Sequence, residues 1–341
     1  MTPGPEDRPV RVLIADDSEL FREVLGRLVA AEPGLEVVGL CRDGAEAAAA
    51  VPRVRPDVIT MDLVMPDADG FSGIARIMAD APTPILVLTA NREESVGFRA
   101  LSLGALDILE KPGARTDLDA FGRLLRSRLK LLAGVRVIRH PRGLRGKRAE
   151  APSRHRRAEL VAVGASLGGP RALAAILRAL PQDFPAPVAV VQHIADGFTE
   201  GLAGWLRTEA RLAVREARDG DPIRPGTVMV APTGSHLVVA DGQYRLSDAP
   251  PVDTFKPSVT PFLLSVAREY GARACGVVLT GMGRDGAVGL KAIRDAGGAT
   301  LVQDEATSTV FGMPRAAIDL GAAERVLPLD EIPRALVELT R

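Results

Sequence analysis

Val10-Arg11-Val12-Leu13-Ile14-Ala15-Asp16-Asp17-Ser18 is a short apolar run that ends in two carboxylates, and Leu20, Val24, Leu25, Leu28 and Val29 follow it at helical spacing. The run reads as a buried strand and its successor as an amphipathic helix. The same alternation recurs downstream. Glu36 to Leu40, Asp57 to Met61, Ile85 to Thr89 and Asp107 to Leu109 are further apolar runs rich in Val, Ile and Leu, with helical patterns between them. Five such βα units predict a doubly wound parallel α/β sheet. Its crossovers should be right-handed, and its functional groups should lie beyond the carboxyl ends of the strands.

Outward from this unit the chain changes character. Between Gly134 and Ala158 stand Arg136, Arg139, Arg142, Arg145, Lys147, Arg148, Arg154, Arg156 and Arg157 against a single acid, Glu150. No periodicity accompanies them, so residues 132–158 read as a basic, self-repelling, flexible tether. A second α/β unit is expected from 159 to 341. There Leu160 to Gly164, Val188 to Gln192, Gly276 to Thr280 and Thr300 to Val302 read as parallel strands. Pro170 to Leu180, Pro257 to Glu269, Gly286 to Ala296 and Pro314 to Leu320 read as helices. Val228 to Ala231, Leu237 to Ala240 and Tyr244 to Leu246 alternate around turns, which predicts a small antiparallel meander inserted in the domain.

The 341 residues suit two domains, and 46% hydrophobic with 25% charged residues is an ordinary globular mix. Lys+Arg and Asp+Glu are equal at 43 each, so net charge points to neither nucleic acid nor a membrane surface. Two distant cysteines, Cys41 and Cys275, exclude a disulfide scaffold and a cysteine zinc site. No secretory leader or membrane-length apolar run is visible, and the cytoplasm is the default expectation.

Five groups fall at successive strand ends of the first unit: Asp16 and Asp17, Asp62, Thr89, and Lys111 before Pro112. Singly, each has a structural reading, such as a helix cap or a turn. Together, three carboxylates need a cation, and Mg²⁺ suits carboxylates, waters and phosphate oxygens. The Asp16-Asp17-Ser18, Asp62…Met65-Pro66…Asp69-Gly70, Thr89-Ala90 and Lys111-Pro112 motifs resemble the receiver domain of two-component response regulators, over residues 9–131. The resemblance implies a flavodoxin-like (βα)₅ fold with Asp62 as phosphoacceptor from a histidine kinase. It implies Mg²⁺ held by Asp17, Asp62 and the Val64 carbonyl, with Asp16 acting through water. Thr89 and Lys111 would sense the phosphate.

In the second unit, Gly164-Ala165-Ser166-Leu167-Gly168 follows a strand, opens a helix and matches G-x-S-x-G. Ser166 is a nucleophile candidate, with a helix cap or phosphate-binding turn as the alternative. His193 closes the run Val188 to Gln192. His140 and His155 fall in the tether, and His236 is expected only to bond its own turn. Asp285 lies in Thr280-Gly281-Met282-Gly283-Arg284-Asp285-Gly286, again just after an apolar run that reads as a buried strand. A hydroxyl, an imidazole and a carboxylate on one sheet edge satisfy triad logic, with Asp285 orienting His193 and His193 deprotonating Ser166. The N–H groups of Leu167 or Met282 would form the oxyanion hole. The order Ser, His, Asp differs from that of α/β-hydrolases, so that fold is not expected.

Ser166-Leu167-Gly168-Gly169-Pro170, Gln192-His193, Asp219-Gly220-Asp221, Pro257-Ser258-Val259, the Thr280 to Ala287 segment and Gly312-Met313-Pro314 resemble the chemotaxis protein-glutamate methylesterase (CheB) family. The resemblance places Ser166, His193 and Asp285 at triad positions and Met282 in the oxyanion hole. It implies hydrolysis of glutamate γ-methyl esters on methyl-accepting chemoreceptors, receptor glutamine deamidation, no cofactor for the esterase, and a receiver that blocks the catalytic face until phosphorylated. Three sites depart from the usual pattern: Leu167 for Thr, Phe255-Lys256 for His-Arg, and Ala195-Asp196 for Pro-Pro. The nucleophile, base and acid are intact. A non-enzymatic phospho-dependent adaptor built on the same fold is the main alternative. A DNA-binding regulator is suggested only by the basic tether.

Overall fold

The protein is described here by a computed structural model that covers residues 8–65, 70–89, 94–113, 116–135, 157–195 and 197–341, without the side chains of 94–96. The chain divides into two compact units, Met1–Gly143 and Leu144–Arg341. Residues 136–156 of the basic tether, with His140 and His155, lie outside the described residues, as do Pro66, Asp69, Ala90 and Asp196 of the motifs.

In the first unit β1 (Val10–Ala15), β2 (Leu35–Cys41), β3 (Val58–Asp62), β4 (Ile85–Thr89) and β5 (Asp107–Glu110) alternate with α1 (Glu19–Ala30), α2 (Gly44–Val54), α3 (Gly70–Asp80), α4 (Glu94–Ser102) and α5 (Leu118–Ala133). The sheet runs β2-β1-β3-β4-β5, and every pairing is parallel. β3 and β4 are buried at every position, as strands covered on both faces by helices must be. α1 buries Leu25 and Val29. Ser18 caps it by accepting the Phe21 N–H at 3.3 Å, with Glu19 in its first turn and Arg27 in its last. The strand order reverses between β1 and β3, which opens a crevice at their carboxyl ends.

The second unit is built on seven parallel strands in the order β14-β13-β12-β6-β7-β9-β8. These are β6 (Leu160–Ala165), β7 (Val188–Gln192), β8 (Ala213–Glu216), β9 (Thr227–Val230), β12 (Ala274–Val278), β13 (Ala299–Gln303) and β14 (Arg325–Leu327). Helices α6 (Gly169–Ala179), α7 (Thr199–Glu209), α8 (Val259–Tyr270), α9 (Ala287–Asp295), α10 (Gly312–Asp319) and α11 (Ile332–Thr340) complete it. The core packs Leu160, Val191, Val278 and Val302 of the sheet against Phe262, Val266 and Leu290 of the helices.

The expected three-strand meander is corrected. Only β10 (His236–Ala240) and β11 (Gln243–Ser247) form an antiparallel pair. Val228 to Ala231 instead lies in and beside β9, parallel to β7 and β8. The reason is burial: Val228, Met229 and Val230 are all inaccessible, which a continuous apolar strand inside a parallel sheet achieves and an alternating edge strand does not. β12 also begins and ends two residues before the expected strand, leaving Thr280 in the following loop. Among the described residues no helix is long and apolar enough to cross a membrane.

Candidate active site

The switch point of the larger sheet lies at β12-β6-β7, where the order departs in both directions from β6. Ala165 pairs with Gln192 in the parallel register, so the next residues, Ser166 and His193, leave adjacent strands side by side. The His193 N–H donates to the Ala165 carbonyl at 3.0 Å, and the Ser166 N–H donates to the Thr280 carbonyl at 3.0 Å. Three strand ends are thereby tied together by main chain.

Local structure then sharpens the turn at Ser166. Gly168 adopts φ +78°, a left-handed conformation that opens α6 with Pro170 in its first turn. Gly281 lies close against the serine. A Cβ there would stand 2.7 Å from Ser166 Cβ and 2.3 Å from Met313 Sδ, so a side chain at 281 would push on both.

Asp285 is buried and sits on the N-terminus of α8. Its Oδ1 accepts from Ser258 Oγ (2.9 Å), the Thr260 N–H (2.9 Å) and Thr260 Oγ1 (2.6 Å). Its Oδ2 accepts from the Val259 N–H (2.7 Å) and pairs with His193 Nε2 (2.8 Å). Burial alone would raise this carboxyl, but the bonds from His193 and Thr260, the His193 charge and the Val259 N–H outweigh it. They hold Asp285 well below the usual carboxylate range. An ionised Asp285 can only accept, so His193 donates to it from Nε2–H, which leaves Nδ1 as the nitrogen that can take up and release a proton. Nδ1 is buried and has no hydrogen-bond partner. Ser166 Oγ does not bond it in this ligand-free geometry, and catalytic hydrogen bonds commonly tighten only when substrate is present.

The N–H groups of Leu167 and Met282 have no acceptor among the described residues. Leu167 is itself buried, and its carbonyl accepts from Thr280 Oγ1 at 2.9 Å, which fixes the turn after Ser166. Two residues without an assigned role in the sequence reading also belong to this site. Gln192 is buried, and its Nε2 donates to both the Ser166 carbonyl (2.7 Å) and the His193 carbonyl (2.8 Å). An amide closing the otherwise apolar strand Val188-Ala189-Val190-Val191 was the available signal. Phe255, singled out only as a departure, lies flat on the His193 ring, with centroids 3.8 Å apart and planes 4° apart. His236 bonds more than its own turn: Nδ1 accepts from the Ser258 N–H (3.1 Å), and Nε2 lies 3.0 Å from the Pro250 carbonyl.

In the smaller sheet the reversal between β1 and β3 gathers Asp16, Asp17 and Asp62, and one carboxylate oxygen from each lies within 4.8 Å of the others. Lys111 Nζ stands 2.6 Å from Asp16 Oδ2 and 2.5 Å from Asp62 Oδ2. The contact to Asp62 is a hydrogen bond, whereas Asp16 Oδ2 is buried with no aligned donor. Burial raises the Asp16 carboxyl against the opposing pull of Lys111. Burial lowers the Lys111 ammonium, but its bonds to Asp16 and Asp62 outweigh this and raise it. Thr89 is buried at the end of β4, and Val64 is exposed one residue beyond Leu63. Three carboxylates offset by a single ammonium form an oxygen-rich cluster that fits a hard divalent cation.

The architecture is thus a five-stranded doubly wound unit with an acid cluster at its switch point, followed by a parallel-sheet unit with a Ser, a His and an Asp at its own. Residues 12–121 match the family model for the response regulator receiver domain, and residues 161–336 match that for the CheB methylesterase. The chain belongs to the CheB methylesterase family, in its receiver-bearing form, and is an enzyme. It is 72% identical over 335 residues to "Protein-glutamate methylesterase/protein-glutamine glutaminase 2" of Anaeromyxobacter dehalogenans (strain 2CP-C), with 98% of each chain covered. A Myxococcus xanthus (strain DK1622) relative, "Protein-glutamate methylesterase/protein-glutamine glutaminase 4", is 43% identical over 98% of each chain. The crystal structure of the Thermotoga maritima CheB methylesterase catalytic domain is 40% identical, with a TM-score of 0.52, over 53% of this chain and 98% of that one.

Proposed function

We propose that the protein is a cytoplasmic, phosphorylation-controlled serine esterase that hydrolyses glutamate γ-methyl esters on methyl-accepting chemoreceptors, and that it also deamidates receptor glutamines. The observation that carries this reading is the alignment of Ser166 and His193 at adjacent strand ends, with Asp285 holding the far nitrogen of the imidazole. His193 Nδ1 takes the proton as Ser166 Oγ attacks the γ-carbonyl. The developing oxyanion is stabilised by the Leu167 and Met282 N–H groups, each donor worth roughly 3–4 kcal/mol. The proton returns from His193 to the methoxy oxygen and methanol leaves. Water, deprotonated by the same nitrogen, then hydrolyses the acyl-enzyme to glutamate and free Ser166.

The receiver (residues 9–131), tether (132–158) and esterase (159–341) divide the work. Asp62 accepts phosphate from a chemotaxis-type histidine kinase. Asp17, Asp62 and the Val64 carbonyl hold Mg²⁺, with Asp16 acting through water, and the ion neutralises phosphoryl charge when bound. Thr89 and Lys111 contact the phosphoryl group. Its added charge and acceptor oxygens shift the receiver between two packing states, which lifts its restraint on the esterase. The test is methanol release from a methylated chemoreceptor fragment, with and without a small phosphodonor and Mg²⁺. Release that rises with the phosphodonor supports the reading. No release from this chain, while a known methylesterase cleaves the same fragment, sinks it in favour of the adaptor.

A further inference from the structure

Asp285 fixes His193 Nε2 through one hydrogen bond, and the covalent link at Cγ fixes the other end of the ring. The tilt of the ring about the line between those two points, which decides where Nδ1 is aimed, is set by what packs on its faces, and Phe255 covers one of them.

The phenyl ring is itself held with unusual care. Val252 and Phe255 exchange both main-chain hydrogen bonds, at 3.1 and 2.9 Å, across the two-residue turn Asp253-Thr254. Both central residues have positive φ, +47° and +75°. Glycine and asparagine are the natural occupants of such a turn, and a β-branched threonine at φ +75° is a strained one. Strain of this kind persists only where its surroundings enforce it. His236 does so by bonding both flanks of the segment, the Pro250 carbonyl and the Ser258 N–H. Lys256 Nζ adds a bond to the Asp248 carbonyl at 3.2 Å. The same short segment then delivers Ser258, Val259 and Thr260 to Asp285. One stretch of chain thus controls the acid of the triad and the face of its base.

We propose that Phe255 is a positioning residue for hydrolysis: stacked on His193 by the strained Asp253-Thr254 turn, it sets the imidazole plane so that Nδ1 points to Ser166. The inference rests on the reading of His193 as the general base. The stack is read independently of activity, so the two fail separately.

The experiment compares the full chain with Phe255→Leu, which keeps apolar bulk but loses the flat ring, and Phe255→Tyr, which keeps the ring. A face-to-face contact of this class is worth about 3- to 10-fold in rate if it acts in the chemical step. Phe255→Leu is expected to lower kcat for methyl-ester hydrolysis by that factor with KM unchanged, while Phe255→Tyr stays near the parent. In proton NMR the His193 ring protons of the parent and of Phe255→Tyr are expected upfield, from the ring current of the stacked neighbour, and to return downfield in Phe255→Leu. The proposal is overturned if Phe255→Leu keeps full kcat, if Phe255→Tyr loses as much as Phe255→Leu, or if the His193 shifts are the same in all three. Should the parent hydrolyse no methyl ester, the function proposed above falls, and an absence of upfield His193 protons in the parent overturns the stack as well.

Discussion

Gln192→Glu is nearly isosteric, yet it should make stability fall steeply as pH rises. In the native chain one buried amide nitrogen donates to the carbonyls of Ser166 and His193, at 2.7 and 2.8 Å. A glutamic acid in its place has one proton to donate, so one of the two bonds is lost at a cost of about 1 kcal/mol; the proton should stay on the His193 carbonyl, because the Ser166 carbonyl also accepts the Gly169 N–H at 2.8 Å. An ionised glutamate donates nothing and sets a negative charge against two carbonyl oxygens in a site only 2% exposed. Burial without a cation raises such a carboxyl by roughly 3 units above its unfolded value near 4.3. A folded value above the unfolded one means that the variant is close to native stability below pH ~4, and that stability drains away as pH rises toward the folded value. At about 1.4 kcal/mol per unit the added loss is about 4 kcal/mol by pH 7.5, for a total of about 5 against 1–2 at pH 4.5. In a unit of this size that is a fall in Tm of roughly 10–20 °C at pH 7.5. Urea unfolding of parent and variant between pH 4.5 and 8 reads it directly. A difference in unfolding free energy that stays flat across that range would refute the bridge, since a merely crowded side chain has no reason to titrate.

Three further outcomes follow from the same coordinates. Asp285→Ala should lower hydrolysis by about 10³–10⁴-fold, because the base loses its fixed tautomer. It should also destabilise the esterase by roughly 1–3 kcal/mol, through orphaned N–H groups at the start of α8. The parent carboxyl is depressed, so its stabilisation is fully present above the unfolded value near 3.9 and is lost progressively as pH falls from there through the lower folded value. The gap between the urea midpoints of parent and variant should therefore narrow as pH falls from about 5 to about 2.5, and a constant gap would contradict the assignment. Burial pushes the Cys41 thiol up to about 11 and the Cys275 thiol up to about 12, so a thiol-exchange reagent at pH 8 should find neither in the native chain and both after denaturation. Finally, Asp62→Asn, or a chelator of divalent cations, should abolish the rise in methanol release caused by a phosphodonor. A rise that survives either treatment would locate the control elsewhere.

How much of this was readable in the sequence depends on what each residue answers to. The central strands of the first unit are legible because β3, β4 and the second half of β1 are buried, and such strands must be written as apolar runs; β1, for instance, is Val10 to Ala15 as expected. Strand-end positions were legible for the same reason, since a polar residue that closes an apolar run leaves the sheet at its carboxyl edge. β9 was misread because Gly226 and Pro232 bracket it as turns bracket a hairpin, and only tertiary burial of Val228 to Val230 distinguishes the two. The roles of Phe255 and Gln192 are not legible in the sequence. The stack on His193 depends on a left-handed turn at Asp253 and Thr254, residues whose types do not announce one. The Gln192 bridge depends on a register between β6 and β7 that no local pattern encodes.

The two sites meet the cost of a buried carboxylate in opposite ways, and the difference separates a switch from a catalyst. Asp285 receives four hydrogen bonds from the start of α8 besides the one to His193, and the positive end of the helix lies beneath it. Its charge is therefore stabilised by the chain itself in every state of the reaction, and nothing has to arrive for His193 to be oriented. Asp16 is raised by burial and keeps an oxygen with no aligned donor, while one ammonium is shared between it and Asp62. That cluster is electrostatically incomplete, so the cation and phosphoryl group proposed for it would change its balance on binding. Preorganisation at the first site demands rigidity, which explains why main-chain bonds tie three strand ends to one another there. Incompleteness at the second supplies the differential binding energy without which no ligand can move an equilibrium.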